Sequence, residues 1–358
     1  MKVIFIWGAC GALASWLIGF PAYRFLFHFG LLDKPNPRSS HTMPTVRGGG
    51  IGIVLVMIGL VGLAGLRGAF TDWATWLGAL TLLAAVSFVD DMRGLTWIVR
   101  LGTHILAGIV FVLGLTVRGD LCTSFGLPVS LAVALLVLIF LVGSTNVFNF
   151  MDGINGIAAG QAVITGAGTI AIATATGISS SDRALIAAAI IVGVALGFLP
   201  HNFPGARMFM GDIGSTVLGF GLASVAVCIA AERSWSLMIP LVLLHANFVL
   251  DTGITILRRL SCGQALHQAH REHFYQRLVR SGSSHTLVTA LELGLQVIVV
   301  GFLVLYVYSG PMGKWLIFGS IGCLWATFFV WIERRFRRTA NMPKFVAANA
   351  RQPVPPVR

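Results

Sequence analysis

Four aspartates in this chain stand at the ends of long apolar runs, each among residues suited to phosphates or to a divalent cation. Residues 200–216 read Pro-His-Asn-Phe-Pro-Gly-Ala-Arg-Met-Phe-Met-Gly-Asp-Ile-Gly-Ser-Thr and put Asp212 between two apolar stretches. An ionisable group beside a bilayer is costly unless it is paired, solvated or bound to metal, so this carboxylate is a functional candidate. Pro200, Pro204 and Gly205 predict a helix break. Gly211 lets backbone approach a ligand closely, and Ile213 restarts a helix whose free N–H groups favour an anion.

Three other stretches carry comparable chemistry. Phe88-Val-Asp-Asp91 sets two carboxylates side by side. Adjacent anions repel, which makes sense around a shared cation or proton; the plainer alternative is a helix-end cluster neutralised by Arg93 and Arg100. Asn146, Asn149, Asp152 and Asn155 recur every three residues, a spacing that lines one side of a helical turn and suits a sugar, a phosphate or a hydrated metal. Helix capping by Asp152 or Asn155 explains one such residue well, but not all four. His270, His273 and Arg277 follow at spacings of three and four, which predicts a cationic helical face suited to phosphates. The same segment also reads as an amphipathic helix lying on the membrane through Phe274, Tyr275 and Leu278. No nearby Cys or carboxylate completes a persuasive zinc set with the histidines.

The elements that must position these residues are apolar helices. Of 358 residues, 56% are hydrophobic and 11% charged, with a mean hydropathy of +0.85, far outside the soluble range. Apolar runs at 3–27, 51–66, 73–89, 98–118, 128–148, 154–176, 184–199, 213–231, 235–257, 286–308 and 314–332 predict about eleven transmembrane helices, most near the ~20 residues a bilayer core requires. The expected fold is all-α, a polytopic integral membrane helix bundle. Residues 1–332 form one transmembrane domain and 333–358 a basic, Pro-containing tail. The first run, 3–27, lacks a convincing cleavage site and reads as a retained helix. The five cysteines show no CxxC pair and read as small packing residues without a disulfide framework.

Charge orients the bundle. Nineteen Lys and Arg fall on the side of loops 28–47, 90–97, 149–153, 200–212, 258–285 and the C-terminal tail, against six on the other. The first side is therefore expected to be cytoplasmic, with the N-terminus outside. The net charge of +12 is a topology signal, and no basic-aromatic patch suggests nucleic acid. Asp90, Asp91, Asp152 and Asp212 then all fall at cytoplasmic helix ends, in reach of a common site. Asp251 and Glu292 lie deeper in their runs, as supports for the site or as members of internal hydrogen bonds.

The segments His41-Thr-Met-Pro-Thr-Val-Arg47-Gly-Gly-Gly50, Val89-Asp-Asp-Met-Arg-Gly94, Asn146-Val-Phe-Asn-Phe-Met-Asp-Gly153, Phe209-Met-Gly-Asp-Ile-Gly-Ser215 and His270-Arg-Glu-His273 together resemble the polyprenyl-phosphate N-acetylhexosamine-1-phosphate transferases. The likeness runs from about residue 30 to about 280. It implies transfer of N-acetylhexosamine-1-phosphate from a UDP-N-acetylhexosamine to undecaprenyl phosphate, releasing UMP, with Mg2+ or with Mn2+ in its place. It further implies Asp212 as metal ligand, Asp152 and Asn149 positioning metal and nucleotide, and Asp90 taking the lipid phosphate's proton or helping to hold that phosphate, with Asp91 beside it binding or orienting. Asn202 would meet the nucleotide, Phe209 would stack on uracil, and His270, His273 and Arg277 would hold the phosphates. His41, Arg47, Asn146 and Asn155 complete the expected substrate-binding set.

The chain has His-Arg-Glu-His where the peptidoglycan branch has adjacent histidines, and Pro-Thr-Val-Arg-Gly-Gly where that branch has Pro-Thr-Met-Gly-Gly. It looks more like enzymes that start O-antigen or other surface polysaccharides at the bacterial inner membrane. The sugar and a homodimer are left open. A secondary transporter with buried carboxylates and a lipid pyrophosphate phosphatase are the competing readings.

Overall fold

The computed structural model of the protein describes residues 1–35, 43–66, 74–117, 127–179, 182–265 and 270–340. Its helices are α1 (Lys2–His28), α2 (Gly50–Leu66), α3 (Ala74–Arg93), α4 (Trp97–Val117), α5 (Leu127–Met151), α6 (Ile157–Ala175), α7 (Arg183–Asn202), α8 (Gly211–Arg233), α9 (Met238–Leu243), α10 (Ala246–Ser261), α11 (Phe274–Arg280), α12 (His285–Tyr308) and α13 (Pro311–Ala340). Among the described residues, nine helices are long and apolar enough to cross a bilayer, and a bent pair raises the number to ten. The expected runs all coincide with helices. The shortfall from eleven is α2, whose 17 residues span about 26 Å, short of a hydrocarbon core of about 30 Å.

Small residues set the packing, because apolar side chains gain little by leaving lipid for one another and close backbone approach has to supply the contact. Gly193 and Gly197, four apart on α7, lie against the carbonyls of Gly8 and Ala12 on α1, and Ser15 Oγ donates to Val194 O at 2.8 Å. Helix α8 is the centre of the bundle, buried along its whole apolar length. Its Gly219 has room only for hydrogen, with Phe148 and the Ser144 carbonyl of α5 against it.

Four expectations need correction. The run 235–257 is not one straight span: α9 and α10 meet at a bend of 77° around Leu244 and His245. The buried carbonyl of Leu244, at the bend, is satisfied by Gln161 Nε2 (2.9 Å), Thr165 Oγ1 (3.0 Å) and Gln296 Nε2 (2.8 Å) from neighbouring helices, which is what lets backbone leave the helical path in an apolar setting. Helix α7 continues through Pro200 to Asn202, so the break begins later than predicted. Helix α13 continues to Ala340, so the boundary at 332 falls inside it; residues 341–358 of the expected tail lie outside the described residues. Of the four cysteines described, all free, Cys228 alone is buried as the packing reading requires; Cys122 lies outside the described residues.

Two short strands, β1 (Leu32–Asp33) and β2 (Thr45–Val46), pair antiparallel ahead of α2. Chain 46–50 then runs beside 208–210: Phe209 N–H donates to Val46 O (2.7 Å), and Gly49 and Gly50 N–H donate to Phe209 and Met210 O (2.8 Å each). This ladder brings Arg47 to the start of α8.

Candidate active site

Asp90 and Asp91 occupy the last turn of α3, and Asp212 the first turn of α8. Asp91 is an anchor. Its Oδ1 accepts from Arg47 Nε (2.8 Å) and from the backbone N–H of Asp212 (2.9 Å), and its Oδ2 accepts from the N–H of Ile213 (3.0 Å). The free N–H groups of α8, expected to meet an anion, meet this carboxylate. Gly211 makes the approach possible: its backbone is left-handed at φ 74°, and a Cβ there would lie 2.6 Å from Asp91 Oδ2.

Asp212 turns its side chain the other way. Oδ1 accepts from Asn149 Nδ2 (2.8 Å), while Oδ2 lies 3.3 Å from Arg47 Nη2 and 3.8 Å from Arg100 Nη1. Asn149 also donates to Ser215 Oγ, one turn along α8 from Asp212 (3.1 Å). Asp90 accepts from Leu95 N–H through Oδ1. Its Oδ2 is buried without a hydrogen bond, 3.4 Å from Arg100 Nη1, and the Asp90 carboxyl lies in side-chain contact with that of Asp212. Arg47 and Arg100 thus sit against three carboxylates. Burial opposes the Arg47 charge, but Asp212 and Asp91 more than offset it and raise the guanidinium above its ordinary value.

Asp152 lies just past α5. Its carboxylate makes no hydrogen bond among the described residues, and burial, reinforced by the charges of Asp212 and Asp91, pushes it up to about 7. The charges of Asp212 and Asp91 thus reach Asp152, while Asp90, Asp91 and Asp212 are joined through Arg47 and Arg100. Nearby, Tyr275 Oη donates to Phe150 O (3.2 Å) and fills the space a side chain at Gly153 would need. That contact ties the α11 region to the Asp152 loop.

The other expected residues divide. Asn146 turns back to its own helix, donating to Val142 O (2.7 Å). Asn155 holds a loop through Pro204 O (3.0 Å). Asn202, buried, uses both ends of its amide on backbone, accepting from Gly156 N–H (2.7 Å) and donating to Met208 O (3.0 Å). Phe209 is half-buried beside β2. His41 lies outside the described residues.

His270 and His273 precede α11 instead of sharing its face with Arg277, because the helix begins only at Phe274. Burial, with His273 and Arg259 adding, pushes the His270 imidazole down to about 4, so at neutral pH it is not the cation expected. Arg277 pairs with Glu333 of α13 (2.5 Å) and packs its guanidinium over Phe336 (5.0 Å). Phe274, Tyr275 and Leu278 are buried in protein, Phe274 stacking on Phe329 at 4.4 Å, which excludes lipid from that face of α11.

Arg100, Ser215 and Tyr275 join the site or its supports without having been singled out as site residues. Arg100 and Ser215 carried a signal, the first as a basic residue near Asp90 and the second one turn from Asp212; Tyr275 reads in the sequence only as part of a lipid-facing surface, and Asp251, expected as a support or as a member of an internal hydrogen bond, does make internal hydrogen bonds. Among the described residues no group of three His, Cys, Asp or Glu forms a metal cage.

Comparison with known proteins meets this geometry. Residues 73–230, which hold all four aspartates, match the family model described as glycosyl transferase family 4. A decaprenyl-phosphate N-acetylglucosaminephosphotransferase of Mycobacterium leprae is 30% identical over 287 residues, covering 72% of each chain. The enzyme of that name in Mycobacterium tuberculosis is 28% identical over 317 residues (79% of this chain, 78% of that one). A probable undecaprenyl-phosphate N-acetylglucosaminyl 1-phosphate transferase of Bacillus subtilis is 28% identical over 279 residues, 74% of each. With its carboxylates gathered at the ends of apolar helices and this likeness along most of its length, the chain belongs to glycosyl transferase family 4 and is a multi-pass membrane enzyme of the polyprenyl-phosphate sugar-phosphate transferase kind.

Proposed function

We propose that the enzyme transfers N-acetylhexosamine-1-phosphate from a UDP-sugar to undecaprenyl phosphate, yielding undecaprenyl-pyrophosphate-sugar and UMP. The observation that carries this reading is the joining of Asp90, Asp91 and Asp212 through Arg47, Arg100 and Asn149, a mixed-charge cluster outside any single helix. Bringing a phosphate up to a pyrophosphate sets like charges together, so the site needs fixed positive groups and a counter-ion. A lipid phosphate oxygen attacks the sugar-bearing phosphorus, the bond from that phosphorus to the oxygen of UMP breaks, and one anhydride replaces another. The step is close to isoenergetic and reversible.

Mg2+ fits the residues present. The free groups are all oxygens: Asp90 Oδ2 is buried without a hydrogen-bond donor, in contact with Asp212, and Asp152 feels the charges of Asp212 and Asp91. Mg2+ keeps several waters and takes one or two carboxylates plus substrate phosphates, so a closed protein cage is not required. Asp212 and Asp152, with Asp90 beside them, would hold it, and it would neutralise charge on the pyrophosphate. Asp90 Oδ2 accepts the proton of the lipid phosphate, Asp91 orients Arg47 and α8, and Arg47 and Arg100 meet phosphate oxygens. Asn149 holds Asp212 in place, and His273 faces a departing phosphate.

The excess of Lys and Arg beside these loops supports a cytoplasmic site in a bacterial inner membrane. The residues around His270 and Arg47 favour the branch that starts O-antigen or other surface polysaccharides. The test is to incubate the purified protein with undecaprenyl phosphate, Mg2+ and a panel of UDP-sugars while following UMP. UMP formed only with acceptor present is the expected result. Inorganic phosphate without UMP would make it a phosphatase, and inertness toward every UDP-sugar would end the reading.

A further inference from the structure

We propose that Asp251 is a positioning residue for the transfer, fixing the His273 ring so that Nε2 is presented to the phosphates. This rests on the transferase reading above, since it supposes that His273 meets a phosphate. Asp251 belongs to α10 and is wholly buried. A carboxylate so placed needs donors, and it has four. Oδ1 accepts from His273 Nδ1 (2.9 Å), Phe274 N–H (3.0 Å) and Thr255 Oγ1 (3.3 Å), and Oδ2 accepts from Tyr275 N–H (3.1 Å).

Two jobs are combined in that list. The backbone N–H groups are those of the first turn of α11, so one part of the interaction is a helix cap supplied from another helix. The imidazole contact is a separate one, although His273 also stands at the N-cap with its ring toward the N–H of Gln276. An ionised carboxylate only accepts, so Nδ1 must carry the proton in this arrangement. Nε2 then remains as the ring's other polar atom, and it makes no hydrogen bond among the described residues. The ring is also clamped on its faces: Tyr275 lies at 5.8 Å with planes 22° apart, and His270 at 5.0 Å with planes 32° apart.

The clamp connects to the carboxylate cluster. Tyr275 reaches Phe150 O, two residues before Asp152, and the charges of Asp251 and Asp152 both act on its hydroxyl. An imidazole whose Nδ1–H rests on a carboxylate can take a proton at Nε2 with its positive form already paired, and can donate that N–H to a phosphate oxygen gaining charge. The bent helix has a use in this scheme. The 77° turn at Leu244 and His245 sets α10 on a course of its own, and α10 carries the carboxylate that holds the ring.

The test is a double-mutant cycle on the purified full-length protein, with UMP release as readout. Asp251→Asn keeps the side chain's shape and one acceptor but places an N–H donor or a neutral oxygen against the ring. It should lower kcat roughly 10- to 100-fold, the usual effect of removing a carboxylate partner from a functional histidine, with KM for the UDP-sugar moving much less. In a His273→Gln background the same change should add less than about 2-fold, because the two residues act as one unit. An equal loss in both backgrounds would make Asp251 a helix cap and nothing more, and full activity in Asp251→Asn would overturn the proposal. Should the variant fail to fold, nitrogen NMR of histidine-labelled unaltered protein decides: Nδ1 protonated is required, and a neutral ring protonated at Nε2 overturns it. If the unaltered enzyme releases no UMP, the transferase reading has failed; if it is active and the cycle is additive, only this inference has.

Discussion

The carboxylate of Asp91 accepts the backbone N–H of Asp212 at 2.9 Å, so one acid holds the start of the helix that carries the other. Their side chains differ in the way this predicts. That of Asp91 is 2% exposed and has donors on both oxygens, whereas that of Asp212 is 16% exposed and points among Arg47, Arg100 and Asn149. Two residues that look equivalent as acids in a motif have separate parts: one builds the site and the other faces it.

Substitution should separate them. Asp212→Asn keeps the melting temperature of the detergent-solubilised protein near that of the parent and loses about 100-fold or more in turnover, as removal of ~3 kcal/mol of transition-state stabilisation requires. Asp91→Asn strips the charge from a buried group with three donors, and should lose both turnover and roughly 1–3 kcal/mol of stability. Thermal unfolding followed by tryptophan fluorescence, together with UMP release, distinguishes the two. Near-parental turnover in Asp212→Asn would remove it from the reacting centre.

Gly211 gives a second contrast. Its φ of 74° and the proximity of Asp91 Oδ2 both oppose a side chain, so Gly211→Ala should strain the backbone by about 1–2 kcal/mol and push the start of α8 away from α3. Turnover falls more than stability does, because Asp212 is the next residue. Gly205→Ala, in the same inter-helix segment but with open space around its Cβ position, is the control and should leave turnover unchanged. Equal effects at the two sites would show that loop stiffness, and not the packing on Asp91, matters.

Arg47 spans two acids, with Nε on Asp91 (2.8 Å) and Nη2 toward Asp212 (3.3 Å). A lysine has a single ammonium and cannot make both contacts. Arg47→Lys should therefore keep the charge and still lose turnover, about 10-fold or more if one charge-assisted hydrogen bond worth ~1.5–3 kcal/mol disappears. Measured turnover matching the parent would show that charge alone suffices there.

The apolar runs were legible, because a bilayer imposes length and polarity on every span, and so were the acids at their ends. The bend at Leu244 was not. Gln161 and Thr165 are polar side chains in the largely apolar α6 and Gln296 is one in the largely apolar α12, and only when α6 and α12 close around α9 do they converge on one carbonyl. The neutral state of His270 was hidden for a related reason: spacing reports which residues share a face only where a helix exists, and α11 begins four residues later. Arg277 fits the same account, its partner Glu333 being 56 residues away in the sequence.

Asp152 makes stability depend on pH in metal-free protein. Burial first, then Asp212 and Asp91, lift its carboxyl from 3.8 in the unfolded chain to about 7 in the fold. Between those values the folded form binds the extra proton, so this group's contribution is fully present below about pH 4 and is lost as pH rises through about 7. In EDTA the parent should lose stability over that window relative to Asp152→Asn, which has nothing to titrate, and the two curves should run parallel above it. Parallel curves throughout would mean that Asp152 is solvated and stays ionised.

Glu292 offers a prediction of opposite sign. It is wholly buried in α12, and neither carboxylate oxygen has a hydrogen-bond donor; Asn247 Oδ1 and Gln296 Oε1, also wholly buried, are likewise unmet. The Asn247 amide lies against the carboxyl, and its Nδ2 is committed to Gln161 Oε1 at 2.9 Å. The group is thus rich in acceptors and short of donors. Glu292→Gln keeps the volume, removes any charge and supplies two N–H groups to oxygens that lack them, which should stabilise the protein by about 1–3 kcal/mol. Turnover should stay within about 2-fold, since Glu292 touches no part of the carboxylate cluster. Thermal unfolding of the variant in detergent is the measurement. A fall in melting temperature would show that the glutamate already has a proton or a cation serving those oxygens, and that this partner, lost with the acid, was holding the bent helix in place.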